Sequence, residues 1–335
     1  MKIRVTLEPR LCLLVGLTRA AKAVSMRHMA RLILHHYDFS NYSEKIRVAM
    51  GYKSLDWASV EMPAVLPKPD LVVLTGGYRR APVLQVGADI YCDTRLILRQ
   101  LEAAAPQPTL YPEGLAATAN AIAAWAEGQL FGPLMLYAWG SNHDLMPPEL
   151  FEDRARMRGL PTPGVAAVGK AAARSAPLVR LQLSMIEQML ADRRRWICGD
   201  RFSVADLAVY HAVWFLTDRS DRLAHELTPF AALCGWRQRM RDLGHGRPQP
   251  MPASQAIEIA RSTEPAPARA AKPQPEDPPR GSLVEVRAAD YARDAIAGAL
   301  DFIDDDEISI RIGNDRVGNI AVHFPRVGFE IRPAR

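Results

Sequence analysis

The sequence predicts an α+β fold in which a mixed α/β domain comes first, an all-helical domain follows, and a small α+β module ends the chain. Of the 335 residues, 48% are hydrophobic and 24% are charged, which is enough apolar material for a buried core. Short apolar runs alternate with amphipathic stretches over residues 31–110, whereas alanine-rich segments separated by proline and glycine fill residues 111–245. A chain of this length corresponds to about two or three domains.

The positive charge of the chain is confined to its beginning. The sequence has a net charge of +5, and residues 1–30 hold six lysines and arginines against Glu8. The rest of the chain is balanced, so we expect no nucleic-acid partner. We predict that residues 1–30 are either a disordered extension or a spurious one upstream of a start at Met26 or Met29. A signal peptide fits less well, because the apolar core is short and Glu8 is acidic.

Two further classes are excluded by the pattern of apolar residues and cysteines. No apolar run reaches the roughly 18 residues that a membrane-spanning helix needs, so we expect no membrane partner. The four cysteines, Cys12, Cys92, Cys198 and Cys234, lie far apart without the spacing of a metal site or a disulfide framework. We therefore expect no metal, and a reducing compartment, the cytoplasm.

Within residues 31–110 the elements follow the order β-α-β, a loop, then β-β-α. The apolar run LILHHY predicts a buried strand, and the segment after it predicts a helix that begins near Ser43. Two short β-rich segments meet at Gly87 as a hairpin. Asp93 and Thr94 then form the cap of the amphipathic helix RLILRQLE.

The second half of the chain predicts helices first and strands last. In residues 111–245 the helical segments are 115–139, 177–192, 203–217 and 228–243. Residues 246–280 contain nine prolines and predict a semi-stiff linker, interrupted by a short helix near 254–261. Residues 281–335 predict a small α+β module, in which a short helix from Tyr291 to Phe302 lies among alternating strands. No activity is assigned to this module.

Four motifs in order, SNYSEKIRVAM, YRRAPVLQ, ADIYCDT and FSVAD, resemble those of the cytosolic glutathione S-transferase family. The resemblance covers about residues 31–245. It implies a thioredoxin-like domain over 31–110 that binds glutathione as co-substrate, and a helical domain over 111–245 that helps bind a small electrophile. It also implies a homodimer and a role in detoxification.

By this resemblance Ser40 is the residue whose hydroxyl donates a hydrogen bond to the glutathione sulfur. Such a donor beside a helix N-terminus favours the thiolate, so Ser40 assists catalysis and is not itself a nucleophile. Asn41 stands where the family usually has proline, and Asn41 or Ser43 is able to share the role. The alternative for these residues is helix capping, which we assign to Ser43 and not to Ser40.

The resemblance also places glutathione-binding residues after the first helix. It implies a cis bond between Ala81 and Pro82, with the main chain of Ala81 pairing with the cysteinyl amide; an ordinary trans proline is the alternative. Thr94 would hold the γ-glutamyl carboxylate, and Asp93 would face its ammonium group, in addition to any capping role.

Two basic residues compete for the glycyl carboxylate of glutathione. Arg80 lies where the family places a polar residue toward that group, and a guanidinium suits a carboxylate. Arg79 is its neighbour, and the alternative is that either one is simply solvated.

The sequence gives the least information about the pocket for the second substrate, the electrophile. Trp125, Tyr137, Trp139 and His143 are candidates on the first long helix of the second domain, although spaced aromatics are more often core. An insertion at 147–176 either shapes the pocket or is a surface loop.

The leading functional hypothesis is an enzyme that activates glutathione for attack on a small electrophile. The alternative is a noncatalytic glutathione-fold dimer that acts as a binding or stress-response scaffold. A thiol-disulfide oxidoreductase using Cys92 or Cys198 is disfavoured, because neither cysteine lies at a helix start where a thiolate is stabilised.

Overall fold

A computed structural model of the protein describes residues 31–267 and 269–334. The extension predicted over residues 1–30 lies outside the described residues.

The first domain contains four strands and three helices in the predicted order, with one extra helix in the loop. These elements are β1 (Leu32–His36), α1 (Asn41–Tyr52), β2 (Asp56–Glu61), α2 (Pro69–Thr75), β3 (Val83–Val86), β4 (Asp89–Cys92) and α3 (Thr94–Ala104). Strand β1 is buried along its whole length because it lies between parallel β2 and antiparallel β3. This continuous apolar run explains why the strand was recognisable from sequence alone.

The second domain is helical, as predicted. Its helices are α4 (Ala116–Trp125), α5 (Phe131–Ser141), α6 (Pro148–Met157), α7 (Val165–Met189), α8 (Val204–Thr217) and α9 (Ala231–Asp242). A π-helical segment, Ala126–Leu130, joins α4 to α5. The insertion at 147–176 is therefore not a loop, because it forms α6 and the first half of α7.

Helix α8 is the central helix of this domain and is buried almost throughout. It begins with a capping box. The Ser203 side chain accepts a hydrogen bond from the backbone of the first turn, and the Asp206 carboxylate accepts one from the backbone N–H of Ser203. The FSVAD motif thus has a structural role at the start of this helix.

The end of the chain extends the sheet of the first domain. It contains β5 (Arg247–Pro250), α10 (Ala253–Arg261), β6 (Leu283–Ala288), β7 (Ile296–Ile303), β8 (Glu307–Asn314), β9 (Gly318–Pro325) and β10 (Phe329–Pro333). The ten described strands form one sheet in the order β10-β6-β7-β8-β9-β4-β3-β1-β2-β5. The junction is the parallel pair of β4 and β9, in which Tyr91 lies opposite His323.

Two predictions for this region need correction. The helix expected from Tyr291 to Phe302 is wrong, because residues 296–303 form strand β7 between β6 and β8. Its alanines and Leu300 favour a helix, but neighbouring strands on both sides satisfy its backbone groups. The short helix expected near 254–261 within the linker is confirmed as α10, which buries Ala256 and Ala260. The segment 246–280 is nevertheless more than a linker, because it also contributes strand β5, which pairs with β2.

Among the described helices, none is both long enough and apolar enough to cross a bilayer.

Candidate active site

A cleft lies between the two domains at the N-terminal end of α1. Its wall is formed by the first turn of α1, the loop before β3, the helices α5 and α6, and Tyr291 from the segment between β6 and β7. A cavity of about 150 Å³ continues from it toward the start of α3. Both spaces are lined by Tyr42, Arg80, Ala81 and Tyr291.

Ser40 is the N-cap of α1 and lines the cleft. Its Oγ accepts a hydrogen bond from the backbone N–H of Ser43 at 3.1 Å. The assignment of the cap to Ser43 is therefore wrong, because the helix begins at Asn41 and not near Ser43. A hydroxyl that accepts a cap bond still holds its proton, so Ser40 is able to cap the helix and donate to a ligand at once.

Asn41 also lines the cleft, but its side chain connects the two domains. Its Nδ2 donates to Nδ1 of His211 on α8 at 2.8 Å. Burial, followed by the charge of Lys45, lowers the pKa of His211 to about 3, so this imidazole is neutral at physiological pH. The residue that replaces the family's usual proline thus makes an interdomain hydrogen bond.

The peptide bond between Ala81 and Pro82 is cis, as the sequence resemblance implied. Both residues line the cavity beside Thr94. The predicted pairing of the Ala81 main chain with a ligand stays a prediction.

Asp93 and Thr94 start α3 and lie in the wall of the same cavity. Asp93 is the N-cap, with φ of 73°, and its Oδ1 accepts from the backbone N–H of Arg95 at 2.9 Å. Burial, followed by the charge of Glu127, raises the pKa of Asp93. Thr94 Oγ1 accepts from Lys45 Nζ at 3.2 Å. The predicted capping role of Asp93 is confirmed, and its ligand role stays a prediction.

The two arginines before Ala81 have different partners. Arg79 is buried and forms an ion pair with Asp153 of α6. Arg80 lines the cleft, where it pairs with Asp290, and its guanidinium lies 3.9 Å from the centre of the Tyr291 ring. Both arginines line the cleft and both are ion-paired, Arg79 with a buried carboxylate and Arg80 with an exposed one, so the binding of a ligand carboxylate by either stays a prediction.

A second, more apolar cavity of about 240 Å³ lies between α5, α6 and α7 and shares Met135, Trp139, Arg154 and Arg158 with the cleft. The helices of the 147–176 insertion form two of its walls, so the insertion shapes this space.

Of the four candidates predicted for the second-substrate pocket, only Trp139 lines it. Trp139 lines both the cleft and the apolar cavity, and its buried Nε1 has no partner among the described residues. Tyr137 instead donates to Glu226 at 2.6 Å, and His143 bonds the carbonyl of Gly140. Trp125 packs against the core.

Sequence reasoning missed three charged residues of the site. Lys45 is buried and forms an ion pair with Glu127, which comes from the π-helical segment and lines the 150 Å³ cavity. Lys68 lines the cleft, and burial lowers its pKa to about 7. Lys45 belongs to the motif SNYSEKIRVAM, so the sequence could have identified it as a site residue. Glu127 lies 82 residues further along the chain, and no local sequence pattern links it to the site.

The three cysteines among the described residues are not paired with one another. Burial, followed by the charge of Asp93, raises the pKa of the Cys92 thiol well above its usual value, so its thiolate is disfavoured. Cys92, Cys198 and Cys234 are all free thiols. Within residues 31–267 and 269–334, no group of three metal-ligating side chains is assembled.

Two family models match the chain. Residues 34–109 match the N-terminal domain of glutathione S-transferases, and residues 153–243 match the C-terminal domain. The crystal structure of a GST-like protein from Pseudomonas syringae is 32% identical, and the match covers 91% of this chain and all of that chain with a TM-score of 0.76. A match of that extent must include most of the residues after 245.

Two more distant proteins are similar to part of this chain. FtsZ-localized protein A from Caulobacter vibrioides is 24% identical over 180 residues, which is 52% of this chain and 72% of that protein. A glutathione transferase family member from Pseudomonas fluorescens, solved with two glutathione molecules bound, is 12% identical over 65% of this chain and 94% of that one, with a TM-score of 0.48.

Proposed function

The chain belongs to the glutathione S-transferase family, and from that premise we propose that it is a glutathione transferase that activates the thiol of glutathione for attack on a small electrophile. One observation carries the proposal: the Ser40 hydroxyl caps α1 in the wall of the cleft, which is also lined by Ala81, the first residue of the cis bond to Pro82.

The chemistry follows from stabilisation of a sulfur anion. A free thiol has a pKa near about 8.5 and is mostly protonated at neutral pH. A hydroxyl donor and the N-terminal end of a helix both lower the free energy of the thiolate. The thiolate then forms a bond to the electrophilic atom, the leaving group departs with its electron pair, and the thiol proton goes to solvent.

The start of α3 offers groups that suit the γ-glutamyl end of glutathione. The carboxylates of Asp93 and Glu127 suit an ammonium group, and the hydroxyl of Thr94 at the helix N-terminus suits a carboxylate. The main chain of Ala81 and the side chains of Asn41 and Arg80 lie along the remaining wall.

The apolar cavity suits the electrophile. Its wall contains Trp139 and Phe151, which favour an apolar or aromatic compound over a polar one.

The proposal extends to the assembly and the compartment. Glutathione transferases are commonly dimeric, so we infer a homodimer whose mass in solution is twice 37.1 kDa. Free cysteines support the cytoplasm as its compartment.

The test is the ultraviolet absorbance of the thiolate of bound glutathione, titrated from acid to neutral pH. We expect a pKa well below that of the free thiol, and a rise in the Ser40→Ala protein. Ser43→Ala is the matched control, because it removes a hydroxyl that has no partner among the described residues. An equal pKa in wild type and Ser40→Ala would remove Ser40 from the mechanism.

A noncatalytic binding scaffold is the second candidate. It is favoured by the similarity to FtsZ-localized protein A, whose name describes a location and not a reaction. Glutathione that binds with an unshifted thiol pKa would support this candidate over the enzyme.

A further inference from the structure

The cleft has a strongly basic lining. Six lysine and arginine side chains line it, and its described lining contains no aspartate or glutamate. These residues are Lys68, Arg79, Arg80, Arg154, Arg158 and Arg219. Like charges in one cleft repel one another, so this arrangement costs free energy unless anions offset it.

Two carboxylates of the protein offset part of this positive charge. Asp153 is buried and pairs with both Arg79 and Arg154. Asp290 pairs with Arg80. Two negative charges therefore serve three of the six cations.

The other three cations have no carboxylate partner among the described residues. Lys68 belongs to the first domain and donates to the carbonyl of Arg79 at 3.0 Å, so the glycyl carboxylate of glutathione is able to offset it. Arg158 follows α6 and Arg219 follows α8, so both belong to the helical domain. The excess positive charge that glutathione leaves uncompensated thus lies on the side of the second substrate.

Arg219 is held in the cleft wall by two aromatic rings. Its guanidinium carbon lies 5.2 Å from the centre of the Phe39 ring and 4.8 Å from that of the Phe215 ring. Within residues 31–267 and 269–334, no oxygen accepts a hydrogen bond from this guanidinium, so its N–H donors are available to a ligand. Burial lowers the pKa of Arg219, and a ligand anion would restore the solvation that the cation has lost.

Arg158 lies at the border between the cleft and the apolar cavity. It lines both spaces, as Trp139 does. Its Nη1 donates to the carbonyl of Arg154 at 3.0 Å, and its guanidinium carbon lies 5.2 Å from the centre of the Tyr291 ring. An apolar compound in the cavity is therefore able to direct a substituent past Arg158 into the basic cleft.

We propose that the second substrate is an apolar or aromatic electrophile that carries a carboxylate, with its apolar body beside Trp139 and its carboxylate at Arg219. Arg158 adds positive charge at the border between the two spaces. A guanidinium suits a carboxylate because its parallel N–H donors match the two oxygens. This inference rests on the proposed function, because it takes the cleft to bind an electrophile beside glutathione.

The experiment compares two unreactive probes on three proteins by titration calorimetry with saturating glutathione. The probes are 3,5-dinitrobenzoate and 3,5-dinitrobenzamide, which have the same shape and differ in charge. The proteins are the full chain as wild type, Arg219→Gln and Arg174→Gln. Arg174→Gln is the matched control, because it removes the same charge from an exposed position of the helical domain outside the lining of the cleft and of the apolar cavity. A thermal melt of each protein verifies folding.

We expect wild type and Arg174→Gln to bind the benzoate about tenfold more tightly than the benzamide. In Arg219→Gln the affinity for the benzoate should fall about tenfold while that for the benzamide stays the same, since only the benzoate uses the guanidinium. Arg158→Gln should lower the affinity for the benzoate by about threefold, because its charge is exposed and screened by solvent. This variant replaces Arg219→Gln if that protein fails to fold.

The failure of this inference and the failure of the proposed function give different results. Equal affinity of wild type for the two probes, no binding of either, or a benzoate-to-benzamide ratio that is the same in wild type and Arg219→Gln overturns the carboxylate site. An unshifted thiol pKa of bound glutathione, in a protein that still prefers the benzoate, overturns the proposed activity and leaves the carboxylate site in place.

Discussion

The hydroxyl of Ser40 is able to serve both roles that the sequence had presented as alternatives. Its Oγ accepts the cap hydrogen bond from Ser43, and its proton remains available to a sulfur in the cleft. A single substitution to alanine removes both roles and does not tell them apart.

Substitution of Ser40 by glycine separates the two roles. Glycine is a tolerated N-cap that costs only a few tenths of a kcal/mol, whereas alanine costs about 1 kcal/mol. We expect Ser40→Gly to unfold in urea almost as wild type does, yet to raise the pKa of bound glutathione as much as Ser40→Ala. If Ser40→Gly keeps the wild-type thiol pKa, the hydroxyl has only the capping role.

At this scale the sequence identified residues that lie in local motifs. Ser40, the Ala81 and Pro82 pair, and the Asp93 and Thr94 pair each stand in a short segment whose backbone geometry is set by its neighbours. The partner of Arg80 lies 210 residues away, and no local pattern signals it. Such contacts arise only when distant elements fold against each other.

Among the elements, the start of α8 depends on one buried carboxylate. Oδ1 of Asp206 accepts from the N–H of Ile197 at 2.8 Å and from Nε1 of Trp236 at 2.9 Å, and Oδ2 accepts from the N–H of Ser203 at 3.0 Å. Burial raises the pKa of Asp206 to about 6. The capping motif thus also connects α8 to α9 and to the turn before it.

Loss of this carboxylate should destabilise the fold more than loss of an ordinary cap. Asp206→Ala removes the acceptor of the N–H groups of Ile197 and Ser203, of the Ser203 hydroxyl and of Nε1 of Trp236, and we expect a decrease of about 3 kcal/mol in the free energy of unfolding. Ser203→Ala is the matched control, with an expected decrease of about 1 kcal/mol. Urea denaturation at pH 7 measures both, and equal losses would contradict the wider role of Asp206.

Strand β7 shows where element prediction fails. Its sequence, IAGALDFI, contains residues that favour helices, but Gly298 faces Ile310 and the carbonyl of Arg311 so closely that a Cβ atom would clash. Pairing with β6 and β8 outweighs the local preference. Helix α8 was predictable because its apolar run and its cap agree.

At the scale of the whole molecule, the two halves of the sheet meet at a buried ion cluster. His323 on β9 lies between Asp89, with Nε2 at 3.0 Å, and Glu307, with Nδ1 at 2.7 Å, and its ring stacks on Tyr91. Burial alone would lower the pKa of His323, but the hydrogen bonds to Asp89 and Glu307 raise it above its usual value. In its protonated form the imidazole donates to carboxylates on both sides, Asp89 of β4 and Glu307 of β8, and thereby stabilises the junction of β4 and β9.

Because the pKa of His323 is raised in the folded state, the free energy of unfolding depends on pH. A raised pKa in the folded state means that the stabilisation is complete below the unfolded value of 6.5 and is lost as pH rises through the folded value. We expect His323→Gln to lower the free energy of unfolding by about 2 kcal/mol at pH 6 and by less at pH 9.

Urea denaturation at both pH values checks this prediction. His225→Gln is a suitable control, because His225 is largely exposed and lies in the helical domain. A loss in His323→Gln that is the same at pH 6 and pH 9 would exclude the charged imidazolium as the cause.

The general arrangement of two domains followed by added strands was predictable, because composition and periodicity change at about residues 110 and 280. The continuation of one sheet through β4 and β9 was not, since parallel pairing between strands more than 200 residues apart has no sequence signature.

The edge strand β5 limits aggregation of the protein at high concentration. The N–H of Arg247 in β5 donates to the carbonyl of Leu55, and the N–H of Met251, the residue after β5, donates to the carbonyl of Ser59. The alternate positions, whose N–H groups would point outward, are Pro248 and Pro250. This rim of the sheet offers few donors to a passing strand, so it resists self-templated aggregation even though ten strands lie side by side.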